Sequence, residues 1–376
     1  MTTATLTLDA DQQRAADVIS EWIAGRRHEV TFSGLAGTGK STVLSYLYDD
    51  LRSSGTLFLA PTAKAAYVLR EKGVPAVTVH SAIYLFNGVR ETDDGREIPQ
   101  FSERDDIRCD FTPRRMAVDE SSMLTLPMVN DLRAKELPLL FVGDGGQLPC
   151  VGEDPHLLDN ADISLEKVHR QAGDSGILRL AHDIRGGEQP GGRHRCEDVS
   201  VVKISNPRRI AQYAIENDHD QIICAFNKTR CDINRAMRFE LRRKGMLDEG
   251  DRVICRFNNW RLGLFNGQQF FVETIHSEDA VSYTCDLRVD LGGVLGENTR
   301  RVRMQKISLG NAEYVSSMRE DGCEVFDLAF CITCHSSQGS SFRKPLVVYQ
   351  QCKNWSMARW GYTAVTRAEE AVGVCL

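Results

Sequence analysis

The stretch GLAGTGKS at residues 34–41 decides the fold of this 376-residue chain. It matches the pattern G-x-x-x-x-G-K-S, in which glycines let backbone N–H groups turn inward around phosphate oxygens. Residues 30–32 predict a buried strand before it, and residues 41–51 predict a helix after it, whose N-terminus faces the anion. The sequence therefore predicts a P-loop that binds ATP or GTP.

The lysine and the serine that end this loop have distinct predicted roles. Lys40 reaches the terminal phosphates, and the Ser41 hydroxyl ligates Mg²⁺. The other predicted nucleotide contacts of the segment are Gly34, Gly37, Thr38, Gly39 and Thr42.

The composition is that of a soluble globular protein, and we expect it in the cytoplasm. Hydrophobic residues make up 42% of the chain and charged residues 26%, and no apolar run has the length of a membrane span. We expect no signal peptide, and reduced thiols at the twelve scattered cysteines. The net charge of −6 implies that any polyanion site is a local basic groove on an acidic body.

The order of strand, turn and helix repeats after the P-loop. This repeat predicts a parallel α/β sheet, with functional residues at the carboxyl ends of its strands. Residues 56–60 predict one such strand, and Thr62 and Lys64 after it fit contacts to a phosphate backbone. An ordinary helix start explains these two residues equally well. Thr78 and His80 have the same standing, because His80 could be a packed ring.

Two carboxylates follow the strand predicted at residues 115–118. In a P-loop protein Asp119 would hold the metal, directly or through water, and Glu120 would orient or deprotonate the attacking water. After the strand predicted at residues 137–142, Gln147 could sense a γ-phosphate. Further on, Arg170 could stabilise the charge of the transferred phosphoryl group.

Two segments interrupt the α/β pattern. The polar residues 87–112 predict a small inserted hairpin or loop domain. Residues 267–324 alternate between apolar and polar, which predicts a small all-β insertion, and the α/β pattern returns at residues 325–333. Between the segments, a buried strand at residues 221–225 is followed by Asn227 and a basic helix. A solvated basic face accounts for most of that helix's charges.

Seven motifs occur in one order along nearly the whole chain. They are GLAGTGKS, APTAKAA, DESSM, GDGGQLPCVG, VHRQ, TCHSSQGS and YTAVTRA. In this set the chain resembles the superfamily 1 helicases, within the RecD-like or Dda-like branch called superfamily 1B. The resemblance implies two RecA-like P-loop domains with parallel sheets, at residues 1–165 and 166–376. It also implies a small insert at about residues 87–112 and a β-barrel-like (SH3-like) insert at about residues 267–324.

The resemblance also implies roles for single residues. Gln12 would contact adenine, Gln147 would couple phosphate to DNA, and Arg170 and Arg367 would be the two arginine fingers. Gln338 and Gly339 join the nucleotide contacts. The positions that would contact the nucleic-acid strand are Pro61, Thr62, Lys64, Thr78, His80, Asn227, Asn266, Gly267, Thr333 and His335.

Two positions depart from the family pattern. Ser336 stands where the family often has lysine, and Gly145-Gly146 precedes Gln147 where bulkier residues are common. The first departure affects one expected backbone contact, and the second predicts a flexible loop before Gln147.

The implied function is an ATP- and Mg²⁺-dependent helicase that moves 5′→3′ on single-stranded DNA and unwinds duplex junctions. We expect a monomer, with replication or recombination proteins as partners and no membrane. An RNA helicase, and a nucleotide-dependent switch or loader that does not unwind, are the alternatives. For Arg367, the alternative to a catalytic role is a structural ion pair with Glu369 or Glu370.

Overall fold

The computed structural model describes residues 8–91, 97–167, 175–259, 262–290, 295–311, 322–353 and 355–376. The chain forms two compact units. The first comprises the residues up to Gly88 together with Pro99–Leu178, and the second comprises Arg179–Leu376 together with Val89–Ile98. In these described ranges, no helix is long and apolar enough to cross a lipid bilayer.

Helices and strands alternate along the chain up to residue 165, which confirms the predicted α/β class. In the described part, the helices are α1 (Ala10–Ile23), α2 (Lys40–Tyr46), α3 (Tyr48–Ser53), α4 (Ala63–Glu71), α5 (Val79–Ile83) and α6 (Leu126–Arg133). The strands are β1 (Glu29–Gly34), β2 (Thr56–Ala60), β3 (Val77–Thr78), β4 (Tyr84–Glu91), β5 (Glu97–Glu103), β6 (Arg115–Val118), β7 (Leu139–Gly143) and β8 (Ile163–Leu165).

Six of these strands form one parallel sheet in the order β3-β2-β6-β7-β1-β8. In its register, Leu57 lies opposite Met116, and Ala117 lies opposite Leu140. Because all six strands run the same way, their carboxyl ends lie along one edge. The turns that leave this edge are the ones in which the sequence analysis places chemistry.

Helix α1 packs on this sheet through its apolar face. Ile19 and Trp22 are fully buried in a core that they share with Phe32 of β1. A capping box begins the helix: the Asp9 carboxylate accepts the N–H of Gln12, and the side-chain oxygen of Gln12 accepts the N–H of Asp9. The cap and the buried stripe together fix where α1 starts and which face it turns inward.

The single helix predicted at residues 41–51 is two helices in the structure. Helix α2 ends at Tyr46, Leu47 adopts φ −94° and ψ 5°, and α3 begins at Tyr48. Leu51 N–H still donates to the Leu47 carbonyl at 2.9 Å, so the chain keeps a nearly helical course. Leu47 and Leu51 are both buried in the same core. No glycine or proline marks the break in the sequence.

The segment predicted as an inserted hairpin contains strands β4 and β5, which pair as a separate two-stranded sheet. Strand β4 begins at Tyr84, before the predicted start at residue 87. The difference arises because the first residues of β4 are apolar, so composition alone groups them with the preceding element.

The second unit repeats the α/β alternation. Helix α7 (Gly176–Arg185) contains the boundary between the units. In the described residues after it, the helices are α8 (Pro207–Glu216), α9 (Asn227–Glu240), α10 (Cys334–Ser337) and α11 (Met357–Val365). The strands are β9 (Val199–Val202), β10 (Gln221–Cys224), β11 (Arg252–Cys255), β12 (Gln269–Glu278), β13 (Ser282–Asp290), β14 (Leu295–Gln305), β15 (Phe326–Leu328), β16 (Cys331–Thr333), β17 (Pro345–Val348) and β18 (Val372–Cys375).

Five strands of the second unit form a parallel sheet in the order β16-β10-β17-β18-β9. The other five form an antiparallel sheet in the order β14-β13-β12-β11-β15 around a core of its own, which includes Phe270, Leu287 and Phe326. This second sheet extends past the predicted residues 267–324, because β11 and β15 join it. A short apolar run does not reveal which strand it will pair with.

Candidate nucleotide and nucleic-acid sites

The P-loop connects the end of β1 to the start of α2. Gly37 and Gly39 have φ of +78° and +89°, a backbone region that is open to glycine at no steric cost. The Thr38 hydroxyl donates to the Leu35 carbonyl at 2.8 Å and so closes the turn inside the loop. Ser41 and Thr42 lie in the first turn of α2, where backbone N–H groups lack helical partners.

The side chain of Lys40 lies back along its own loop. Its ammonium donates to the carbonyl oxygens of Gly34 and, at 3.2 Å, of Leu35. A Cβ built on Gly34 would be 2.5 Å from Cγ of Lys40, which is closer than real Cβ atoms approach another heavy atom. The position of the lysine therefore depends on the absence of a side chain at residue 34, a glycine.

Three neighbouring strands bring the predicted nucleotide residues to one edge of the first sheet. The P-loop follows β1, Gln147 lies in the turn after β7, and Asp119 and Glu120 follow β6. Lys40 also acts electrostatically on Asp119, lowering the pKa of that carboxyl. The sheet thus brings a cation, two carboxylates and an amide to one edge, the edge at which the sequence predicts functional residues.

Asp119 and Glu120 differ in their surroundings. Burial and the neighbouring Glu120 carboxylate raise the pKa of Asp119 above its ordinary value, and Lys40 offsets part of that effect. Glu120 has φ +52°, and its N–H donates to Asp119 Oδ1 at 2.9 Å. A non-glycine residue in this left-handed region is strained, and such strain is concentrated at functional sites.

Gln147 is held by the buried residue Asp144. One carboxylate oxygen of Asp144 accepts the N–H of Gly146 at 2.9 Å, and the other accepts the Gln147 amide at 3.5 Å. The predicted flexible glycines are thus tied into a turn. Three buried oxygens here have no hydrogen-bond partner within the described residues, namely Ser121 Oγ, Ser122 Oγ and Gln147 Oε1.

These residues fit a divalent cation. Hard oxygen ligands are what Mg²⁺ prefers, and a bound cation would stabilise the charge that burial disfavours on Asp119. Unsatisfied buried oxygens are uncommon in proteins and indicate a water or ligand at that place. Ser121 and Ser122 were not predicted as site residues, although both belong to the DESSM motif.

Gln12 is buried, with 4% of its surface exposed, and its side-chain oxygen belongs to the capping box of α1. Gln12 is therefore not a solvated surface side chain. The contact with adenine stays a prediction.

Two further strands of this sheet, β2 and β3, carry residues that are predicted to contact the nucleic-acid strand. Thr62 follows β2 and caps α4, accepting the Ala65 N–H at 3.1 Å; Pro61 is buried and Lys64 is half-buried. Thr78 ends β3 and caps α5 in the same way. Both threonines therefore lie at ordinary helix starts, as the alternative interpretation of the sequence predicts.

His80 packs against two aromatic rings, one tilted and one edge-on. Its ring centroid is 5.2 Å from that of Tyr84 and 5.4 Å from that of Phe101, and burial lowers its pKa. Phe101 is itself exposed. This ring cluster presents an aromatic surface beside a strand end.

The second unit repeats this arrangement of threonine and histidine. Thr333 ends β16 and caps α10 through the Ser336 N–H, as Thr78 ends β3 and caps α5. Its hydroxyl also lies 3.0 Å from that of Ser336, the residue at the family's lysine position. His335, two residues after Thr333, packs edge-on against Trp355, and burial lowers its pKa.

Asn227, Asn266 and Gly267 lie in two separate segments of the second unit. Asn227 starts α9 and accepts a hydrogen bond from Arg230 at 3.2 Å. Asn266 N–H donates to the Asn258 side chain at 2.8 Å, and Gly267, with φ +85°, pairs with Cys255. The burial of Arg230 was not foreseen, because a basic helix in sequence resembles a solvated face.

Arg367 is buried, with 6% of its surface exposed, and it bonds only neutral oxygens. It donates to the carbonyls of Thr363 at 3.1 Å and Ser340 at 3.3 Å and to the Thr366 hydroxyl at 3.5 Å. Among the described residues no carboxylate pairs with it. The predicted alternative, an ion pair with Glu369 or Glu370, is therefore wrong.

Gln338 and Gly339 follow α10; Gln338 is buried and Gly339 has φ +69°. Arg170 lies outside the described residues, so its predicted role as a second finger stays a prediction.

Two family models match the chain. Residues 7–206 match a model described as an AAA domain, and residues 328–375 match one described as a UvrD-like helicase C-terminal domain. The first match spans 200 of the 376 residues, more than half of the chain. The chain belongs to this AAA domain family, within the superfamily 1B helicases.

Curated relatives of this superfamily 1B chain are helicases by name. The ATP-dependent RecD2 DNA helicase of Deinococcus radiodurans is 27% identical over 394 residues, covering 95% of this chain and 48% of the relative. The ATP-dependent DNA helicase dda of Enterobacteria phage T4 is 26% identical over 198 residues, covering 48% of this chain and 43% of the relative. The chain spans about half the length of the curated relatives it matches.

Solved Pif1 structures share the superfamily 1B fold. Bacteroides Pif1 bound to single-stranded DNA has a TM-score of 0.55 at 19% identity, covering 98% of this chain and 92% of that one. Pif1 helicase of Candida albicans has a TM-score of 0.55 at 17% identity, covering 98% of this chain and 94% of that one. At these identities the likeness establishes the fold alone.

Proposed function

We propose that this chain is an ATP-dependent helicase that moves 5′→3′ on single-stranded DNA and unwinds duplex DNA. One observation carries the proposal: the P-loop, Gln147 and the Asp119–Glu120 pair follow three neighbouring strands of one parallel sheet. Both curated relatives are named as DNA helicases, which supports an activity on DNA.

The proposed chemistry is hydrolysis of the terminal phosphate of ATP. Lys40 neutralises phosphate charge, and the Glu120 carboxylate accepts the proton of the attacking water. Ser41 and Asp119 would hold Mg²⁺, which when bound neutralises charge on the phosphate oxygens. Gln147, fixed by Asp144, orients toward the terminal phosphate and relays its presence to the nucleic-acid contacts.

Arg367 is proposed as an arginine finger. A buried guanidinium that bonds only neutral oxygens keeps its full positive charge available to an anion, and the planar fork suits phosphate oxygens. Arg170 is proposed as the second finger. Both would act on the transition state, in which negative charge spreads over the transferred phosphoryl group.

Nucleic-acid binding is proposed to be independent of sequence. Threonines at strand ends offer hydroxyl and backbone N–H groups to phosphates, and the rings around His80 and His335 offer stacking surfaces. Two RecA-like domains, at about residues 1–165 and 166–376, would grip the strand alternately. The antiparallel sheet, with its separate core, would be the SH3-like insert, and an insert would split the duplex.

A forked-substrate assay tests the proposal. DNA duplexes with a single 5′ tail or a single 3′ tail are incubated with ATP and Mg²⁺, beside the same duplexes in RNA. We expect strand separation with the 5′-tailed DNA only, and none with Lys40→Ala. ATP hydrolysis without strand separation or movement would favour a switch or loader, and preference for RNA tails would favour an RNA helicase.

We further propose that the protein is a cytoplasmic monomer that acts at junctions between single-stranded and duplex DNA. Replication or recombination proteins would be its partners.

A further inference from the structure

A buried charge network joins three segments of the second unit. Arg230 of α9 donates to Asp327 Oδ2 of β15, and the two side chains are only 3% and 4% exposed. The other oxygen of Asp327 accepts the N–H groups of Gly310 and Leu328, both at 2.8 Å. The hydrogen bonds of this carboxylate are therefore made with Arg230 and with backbone N–H groups.

A second arginine lies against the same carboxylate without bonding it. Nη2 of Arg256 is 3.7 Å from Asp327 Oδ2, and its side chain is 27% exposed. This guanidinium makes no other hydrogen bond or ion pair within the described residues. Two guanidinium groups thus surround one carboxylate, and one positive charge is left over at an opening to solvent. Burial lowers the pKa of Arg256 below its ordinary value, as expected where a cation lacks a full partner.

Residues predicted from sequence to contact the nucleic acid are hydrogen-bonded to neighbours of Arg256. Asn227 accepts from Arg230, the partner of Asp327. Gly267 N–H donates to the carbonyl of Cys255, the residue before Arg256, and Asn266 bonds the side chain of Asn258, which lies two residues after Arg256. Two segments that are far apart in sequence are therefore linked through hydrogen bonds to the neighbours of Arg256, an arginine for which the sequence predicted no role.

We propose that Arg256 binds a backbone phosphate of the single-stranded nucleic acid, with Asp327 and Arg230 as positioning residues. Phosphate supplies the negative charge that this site lacks, and guanidinium groups bind phosphate strongly. Asp327 holds Arg256 near the opening, and it shares its single negative charge between Arg256 and Arg230. The inference rests on the proposed function and deepens it, because it assigns an anchor for the strand in the second unit.

The test is a salt titration of DNA binding with the full chain. Fluorescence anisotropy of a labelled oligothymidylate is measured at several NaCl concentrations for wild type, Arg256→Gln and Arg256→Lys. Arg235→Gln is the matched control. Arg235 lies on the same helix as Arg230, its side chain is 68% exposed, and its substitution removes the same charge. Thermal unfolding checks that each variant folds, and Arg256→Met, which keeps the apolar stem, stands in should Arg256→Gln not fold.

We expect Arg256→Gln to bind roughly tenfold more weakly and to lose about 0.7 from the slope of log affinity against log salt, the value of one phosphate contact on a single strand. Arg256→Lys should keep the slope, and Arg235→Gln should match wild type. Unchanged affinity and slope in Arg256→Gln, with wild type binding normally, would overturn this inference and leave the helicase proposal intact. Failure of wild type itself to bind the oligonucleotide would instead overturn the proposed function.

Discussion

Gly34 and Lys40 are so close that no further carbon atom fits between them. A Cβ on Gly34 would stand 2.5 Å from Cγ and 2.9 Å from Cδ of Lys40. Both contacted atoms belong to the stem of the lysine, and the stem sets where the ammonium lies. The first glycine of the P-loop thus controls a side chain six positions later.

Gly34→Ala is therefore expected to displace Lys40 and to weaken nucleotide binding by at least about tenfold, or about 1.4 kcal/mol. Titration with a fluorescent ATP analogue measures the effect. Gly25→Ala is the control: Gly25 has φ +73° but nothing within 4 Å of an added Cβ. The control should lose about 1 kcal/mol of stability and no affinity. Equal nucleotide affinity in Gly34→Ala and wild type would contradict the dependence of Lys40 on this glycine.

Glu120→Gln should separate binding from hydrolysis. The amide keeps the size of the side chain but cannot accept the proton of water, so we expect ATP affinity within a few-fold and turnover reduced by about 10²–10⁴. Steady-state hydrolysis and analogue binding are measured side by side. Glu136→Gln is the matched control, because Glu136 also has a positive φ, of 55°. Equal losses of binding and turnover would argue against a base at residue 120.

Arg367→Ala should affect the transition state and not the bound nucleotide. We expect DNA-stimulated turnover to fall by about 10³–10⁵, with nucleotide affinity within about tenfold. Arg367→Lys should restore little, because a point charge does not reproduce the planar fork. Arg343→Ala is the control, since Arg343 forms exposed ion pairs with Asp218 and Glu370. A variant that loses thermal stability but keeps stimulated turnover would remove the finger assignment.

Asp327→Ala should destabilise the second unit strongly. It leaves the buried Arg230 without its counter-ion, and breaking a buried pair in this way costs about 3–5 kcal/mol. Urea unfolding gives the free energy. The control is Asp232→Ala. Asp232 pairs with Lys228, whose side chain is 86% exposed, so removing this pair should lower the free energy of unfolding by no more than about 1 kcal/mol. Similar losses in the two variants would show that burial does not strengthen the Arg230–Asp327 pair.

The local elements around the P-loop could be predicted because their signals are local. An apolar run before residue 34 and a helix pattern after residue 41 are enough to place β1 and α2. The break at Leu47 could not be predicted, since no helix breaker marks it. The partner of β15 could not be predicted either. Residues 325–333 are one apolar stretch in sequence, yet β15 and β16 enter different sheets.

The same distinction between local and long-range signals applies to the residues of the candidate sites. Residues in a short motif, such as Asp119 and Glu120, could be placed because a strand end carries both of them. The environment of Arg230 could not, because its partner Asp327 lies 97 residues away in sequence. The lack of an ion pair at Arg367 was equally hidden, since two glutamates follow it closely in the chain.

The left-handed backbone of Glu120 has a consequence for how this sequence could drift. Glycine and asparagine adopt this conformation at lower cost than glutamate, so the carboxylate is retained against the preference of its own backbone. A duplicated gene freed from selection for ATP turnover would gain stability by exchanging Glu120 for either residue. Selection of a random library for heat resistance alone would be expected to recover the same exchange, and under the proposed role of Glu120 the selected protein would be more stable but unable to hydrolyse ATP.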